Sequence, residues 1–101
     1  KQSPKKWLAH GDQYFKGEVV INEGAKTALS SNKISSLLPV GIISVKGDFS
    51  KGDIIRITDE NGLKIGLGKA EYPASLVKEK IGLKNQKPFI HYDYLYLFQN
   101  G

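Results

Sequence analysis

The chain has 101 residues, 40% of them hydrophobic, which suffices for one domain around one core and leaves no room for a separate catalytic domain. It has no cysteine, which excludes a disulfide framework and a thiolate metal site, and no apolar run approaches the roughly 20 residues of a membrane span. The net charge of +5 favours acidic partners such as RNA, yet Arg56 is the one arginine among 15 basic residues, and arginine is the side chain suited to bidentate recognition of bases and phosphates.

Taken in order, Lys1 to Gly11 is polar and basic, with Lys1, Lys5 and Lys6 available to touch phosphate. Trp7 and Leu8 read as an anchor for this end. A connector containing Tyr14 and Phe15 leads to a short strand, Glu18 to Ile21. Asn22 suits a helix N-cap, because its side-chain oxygen can accept an orphan backbone N–H. Glu23 then sits in a first turn that favours negative charge, and Ala25, Ala28 and Leu29 share one helical face. The helix fades around Ser31 and Asn32.

The centre is Ser36 to Gly62. Ile42, Ile43 and Val45 predict one strand; Ile54, Ile55 and Ile57 predict the next. Between them lies a glycine turn, Gly47 to Asp53, in which Phe49 folds back as a plug over one end of the core. Asn61-Gly62 signals a hairpin into a third strand within Leu63 to Tyr72. These three strands are expected to form a meander. Pro73 opens a second helix with Leu76, Val77 and Ile81 on its apolar face, and Gly82 stops it. After the polar loop Leu83 to Pro88, Phe89 to Phe98 reads as one long aromatic strand. The expected architecture is mainly β: a small barrel of about six mixed, mostly antiparallel strands with two short covering helices.

No motif in this pattern is a self-sufficient active site. Gly66-Leu67-Gly68-Lys69 lacks the spacing and the Ser/Thr of a phosphate-binding loop and falls in a strand. His10-x-Asp12 and His91-x-Asp93 offer nitrogen and oxygen ligands, but such pairs are common on surfaces, and no metal site is assigned. No G-x-S-x-G elbow is present, and Asp59 and Glu60 read as solvated turn residues. The binding candidate is the helix-to-strand corner, where Lys26, Lys33 and Lys46 are expected around Pro39-Val40-Gly41. Gly41 would let another backbone approach, and the lysines would track phosphates. Tyr92, Tyr94 and Tyr96 fall on one face of the expected last strand, where they could stack bases or simply sit half-buried.

Leu37-Leu38-Pro39-Val40-Gly41 and Val45-Lys46-Gly47-Asp48-Phe49-Ser50-Lys51-Gly52-Asp53 resemble the core of a PUA domain, a compact pseudo-barrel known for binding structured RNA. A narrower likeness is to the C-terminal PUA domain of bacterial glutamate 5-kinases. Lys5-Lys6-Trp7-Leu8-Ala9 is similar to the segment preceding that domain. Gly17 to Ala25 is similar to its first strand and helix, and Ile90-His91-Tyr92-Asp93-Tyr94-Leu95 to its close. Lys6 and Tyr92 stand where the family usually has arginine.

The resemblance implies a linker and anchor over residues 1–17, a PUA domain over 18–98 and a tail over 99–101. It implies a cytoplasmic parent enzyme that phosphorylates the γ-carboxylate of L-glutamate and opens proline biosynthesis. MgATP, glutamate and the inhibitor proline would bind a missing N-terminal amino-acid-kinase domain, not this chain. The domain would then be a non-catalytic module that modulates oligomer behaviour, magnesium dependence and feedback in a homo-oligomeric parent. The rival reading is an RNA-binding PUA domain, free-standing or from a tRNA- or rRNA-modifying enzyme, with Lys26, Lys33, Gly41 and Lys46 as its contacts.

Overall fold

The computed structural model describes residues 15–31 and 34–98. The elements are β1 (Gly17–Ile21), α1 (Glu23–Ser30), β2 (Ile42–Gly47), β3 (Ile54–Asp59), β4 (Lys64–Lys69), α2 (Ala74–Lys80) and β5 (Leu95–Leu97). One-turn 3₁₀ helices at Pro39–Gly41 and Tyr92–Tyr94 precede β2 and β5. All five strands form one sheet in the order β2-β1-β3-β4-β5. Only β1 and β3 run parallel; the other neighbours are antiparallel. An isolated bridge joins Leu37 to Ile90. The mainly β, α+β class expected from the sequence is the class observed.

The meander is not. β1 lies between β2 and β3, so those two strands never pair. The connection from 48 to 53 must therefore span two inter-strand spacings, roughly 10 Å, over the start of β1. Gly17 makes that crossing possible: a Cβ there would overlap the Phe49 ring. Phe49 is 2% exposed and packs 5.8 Å from Phe89, centroid to centroid, so it does plug this end of the core.

Inward-facing residues of β1 and β3 (Val19, Ile21, Ile55 and Ile57) are fully buried. Leu29 of α1 and Ala74 and Val77 of α2 close over them, with Leu37, Phe89 and Ile90. Two apolar positions expected on helix faces behave otherwise. Ala28 of α1 is exposed, and Leu76 is 38% exposed, because in α2 Ala74 and Val77 face the core. Pro73 is the N-cap of α2 and not its first helical residue.

Phe89 to Phe98 is also not one strand. The His91 Nδ1 accepts the Asp93 N–H at 3.1 Å, and the His91 carbonyl accepts the Tyr94 N–H at 2.8 Å. The Ser36 hydroxyl oxygen accepts the Tyr92 N–H at 2.8 Å. These bonds take groups that a ladder would need, and the chain coils once before β5. The three tyrosines consequently diverge. Tyr92 is exposed, Tyr94 lies under the Lys69 ammonium at 4.7 Å, and Tyr96 meets Phe98 edge-on at 5.9 Å.

Candidate functional site

The helix-to-strand corner is built from the cap of α1. The Asn22 side chain accepts the Ala25 N–H at 2.8 Å, and the Asn22 N–H donates to the Gly41 carbonyl at 2.9 Å. Gly41 is buried against the helix: a Cβ there would stand 2.5 Å from the Ala25 Cβ. The absent side chain thus admits α1, where the sequence reading expected the backbone of a partner. Between α1 and the Pro39–Gly41 turn runs an open groove of about 310 Å³. Ala25, Ala28, Leu37, Leu38 and Val40 line it, so its walls are mainly apolar. Leu38 is 43% exposed and Val40 37%. Such a groove can seat an apolar side chain or a flat ring; it carries no nucleophile–base pair.

Of the expected lysines, Lys26 and Lys46 do not converge on it. The Lys26 ammonium is 2.8 Å from Asp59 Oδ2 at the end of β3. Asp59 is 2% exposed, not solvated as the turn sequence suggested, and its Oδ1 accepts the N–H groups of Asn61 and Leu63. The hydrogen bond from Lys26 holds the Asp59 carboxyl below the ordinary carboxylate value despite burial, and the two turn N–H groups add to this. The same bond lifts Lys26 above the ordinary lysine value. Lys46 is exposed at the other end of β1, opposite Glu18, whose carboxylate is 3.9 Å away. Lys33, Trp7, Leu8 and the His10-x-Asp12 pair lie outside the described residues. The lone arginine is committed too. Arg56 Nε and Nη2 donate to Glu18 Oε1 at 3.0 and 2.8 Å, and its guanidinium lies 4.2 Å from the Phe15 ring centroid.

His91 and Asp93 approach at 3.6 Å but stand alone as possible ligands. Among the described residues no three His, Cys, Asp or Glu side chains converge, and no helix is long and apolar enough to cross a membrane.

The PUA domain family model matches residues 17–88, which hold both helices and four of the five strands. The chain belongs to the PUA domain family. Among curated proteins, this PUA domain is 48% identical over 95 residues to the glutamate 5-kinase of Bacteroides thetaiotaomicron, covering 94% of this chain and 26% of that protein. It is 50% identical over 98 residues to that of Chlorobaculum tepidum, covering 96% and 27%. The chain thus spans about a quarter of the length of these relatives. Among solved structures it resembles a PUA domain protein of Aeropyrum pernix crystallised as a tartrate complex. That match has a TM-score of 0.64 and 27% identity, and covers 82% of this chain and 45% of the other. The fold also matches an archaeal Nop10–Cbf5 complex of the box H/ACA sRNP, with a TM-score of 0.59 and 23% identity over 80% of this chain and 26% of that one.

Two features of this PUA domain escaped sequence reasoning. The Lys26–Asp59 pair joins residues 33 positions apart and has no local signal. A cleft lined by Lys51, Glu71, Tyr72, Lys87, Asp93 and Tyr94 gathers charged and aromatic side chains from separate segments.

Proposed function

We propose that this chain is the accessory, non-catalytic PUA domain of a glutamate 5-kinase, whose parent enzyme transfers phosphate from MgATP to the γ-carboxylate of L-glutamate. The observation that carries this reading is identity of 48% and 50% along nearly the whole chain to two enzymes of that name. Identity of that size extends beyond what a shared fold requires. The domain's own surface agrees: the apolar groove beside α1 suits a module that is positioned against another domain. Trp7 and Leu8 are the proposed anchor to that domain, and MgATP belongs to the kinase part. The domain would tune the parent's assembly, magnesium response and inhibition by proline.

The isolated 101-residue chain, given MgATP and L-glutamate, is expected to release no ADP above buffer. Glutamate-dependent turnover by the purified chain would overturn the reading.

A second reading, contact with structured RNA, draws support from the net charge of +5 and from exposed Lys46. Of the other contacts expected from the sequence, Lys26 is paired with Asp59, Gly41 is buried against α1 and Lys33 lies outside the described residues, so Lys46 carries the test. It predicts RNA affinity that falls steeply with salt and weakens in Lys46→Ala. A flat titration at low salt removes it.

A further inference from the structure

Asn61 and Gly62 lie in the turn between β3 and β4, and both are exposed. An asparagine followed by glycine can close on itself: the glycine nitrogen attacks the asparagine side-chain carbonyl with no Cβ in the way. The space around Gly62 is open. A Cβ there would meet nothing within 4 Å, and its φ is +85°.

The turn nonetheless holds the attacking nitrogen. The Gly62 N–H donates to the Asp59 carbonyl at 3.1 Å, and the Asp59 N–H donates to the Leu63 carbonyl at 3.0 Å. Asp59 Oδ1 accepts the Asn61 N–H at 2.8 Å and the Leu63 N–H at 2.9 Å, one on each side of Gly62. Lys26 fixes the other carboxylate oxygen at 2.8 Å, and the aspartate side chain is 1% exposed. These bonds pin the backbone on both sides of the Asn61–Gly62 bond, so the Gly62 nitrogen reaches Asn61 Cγ only when the turn opens. The Asp59 charge acts in the same direction. It disfavours loss of the Gly62 N–H proton, which would set a second anion beside the first.

We propose that Asn61 is a site of spontaneous deamidation, kept latent by Asp59 while the domain is folded. The Gly62 N–H gives its proton to hydroxide, and the nitrogen bonds to Asn61 Cγ. The bond from Cγ to the side-chain nitrogen breaks, and that nitrogen takes a proton from water and leaves as ammonia. Water then opens the succinimide at one of its two carbonyls, giving aspartate or isoaspartate. Either product adds a carboxylate close to that of Asp59, and isoaspartate also lengthens the main chain by one methylene. Both weaken the turn that Asp59 organises, and with it the tie from the hairpin to α1.

The test is incubation of the 101-residue chain at mildly alkaline pH, folded and in urea, followed by brief digestion and tandem mass spectrometry of the tryptic fragment 57–64. Conversion of amide to acid at residue 61, and the separate elution of isoaspartate, read the rate. The folded chain is expected to react at least about tenfold more slowly than the chain in urea, the weight of one hydrogen bond to a charged group. Asp59→Asn keeps an acceptor and removes the charge; when folded it is expected to react faster than the unsubstituted chain, and Asp59→Ala faster still. Lys26→Ala leaves the turn bonds but frees the carboxylate, so its rate is expected between those of the unsubstituted chain and Asp59→Ala; it decides the matter where the Asp59 variants do not fold. Lys46→Ala, at the other end of β1, is expected to change nothing. No reaction at residue 61 in urea, equal rates folded and in urea, or folded Asp59 and Lys26 variants that keep the unsubstituted rate would each overturn the proposal.

Discussion

The ammonium of Lys26 and the carboxylate of Asp59 meet at 2.8 Å, the aspartate side chain being 1% exposed. This pair ties α1 to the turn between β3 and β4. Asp59 does more than pair: it also receives two N–H groups of its own turn, so one carboxylate organises both the hairpin and the helix. The consequence for function is direct. Lys26, expected at the helix-to-strand corner, is occupied in holding the fold.

The pair makes stability depend on pH at both extremes. In the folded chain Asp59 titrates below 3.8, so on acidification the unfolded chain takes up its proton first. The contribution is complete at neutral pH and is lost as pH falls below that value toward the folded pKa. Lys26 titrates above 10.5, so its contribution is complete below that pH and is lost as pH rises through the raised value. Asp59→Asn is expected to lower stability at pH 7 and to flatten the acid limb of the profile. Urea unfolding from pH 2 to 7 reads both; parallel profiles for the two proteins would contradict the pairing.

Gly41→Ala places a Cβ 2.5 Å from that of Ala25, and helix and turn must separate. The expected cost is about 1–3 kcal/mol. Adding Ala25→Gly removes the overlap at a helix-propensity cost of about 1 kcal/mol, so a double-mutant cycle is expected to show coupling. Additive losses would place the origin of the Gly41 requirement elsewhere.

Phe49→Ala opens a cavity against Phe89 at the end of the core. A loss of about 3–5 kcal/mol is expected, comparable with much of a small domain's stability. Phe49→Leu is expected to lose less. Wild-type thermal stability in the alanine variant would refute the plug.

At Gly66 a Cβ would overlap the carbonyl oxygen of Tyr96 on the neighbouring strand. Gly66→Ala is therefore expected to release β5 and speed amide exchange at Phe98, whose N–H donates to Ile65 at 2.9 Å. Unchanged protection there would show that β4 and β5 tolerate the extra methyl.

Local features were legible in the sequence and non-local ones were not. Asn22 as a cap, Phe49 as a plug and Gly82 after α2 each follow from a few neighbouring residues. Strand composition showed where β1, β2 and β3 lie, but period-two patterning carries no information about which strands are neighbours, and β1 entered between the other two. Asp59 looked solvated because its neighbours form a turn; its partner comes from a helix 33 residues earlier. Tyr92, Tyr94 and Tyr96 seemed to share a face only while the chain was taken as extended, and the His91 cap breaks that assumption. The corner shows the same division. Gly41 was found, but the space it leaves is filled from within the domain, and Lys46 was drawn there from the far end of β1.

The proposed role is modulation of a parent kinase without supply of its chemistry. The most direct measurement compares the full-length parent with a version lacking residues 17–98, recording glutamate phosphorylation against proline and magnesium concentration. Retained phosphorylation with a displaced proline or magnesium response is the predicted result. Complete loss of phosphorylation in a folded truncation, or identical regulation in both proteins, would contradict it.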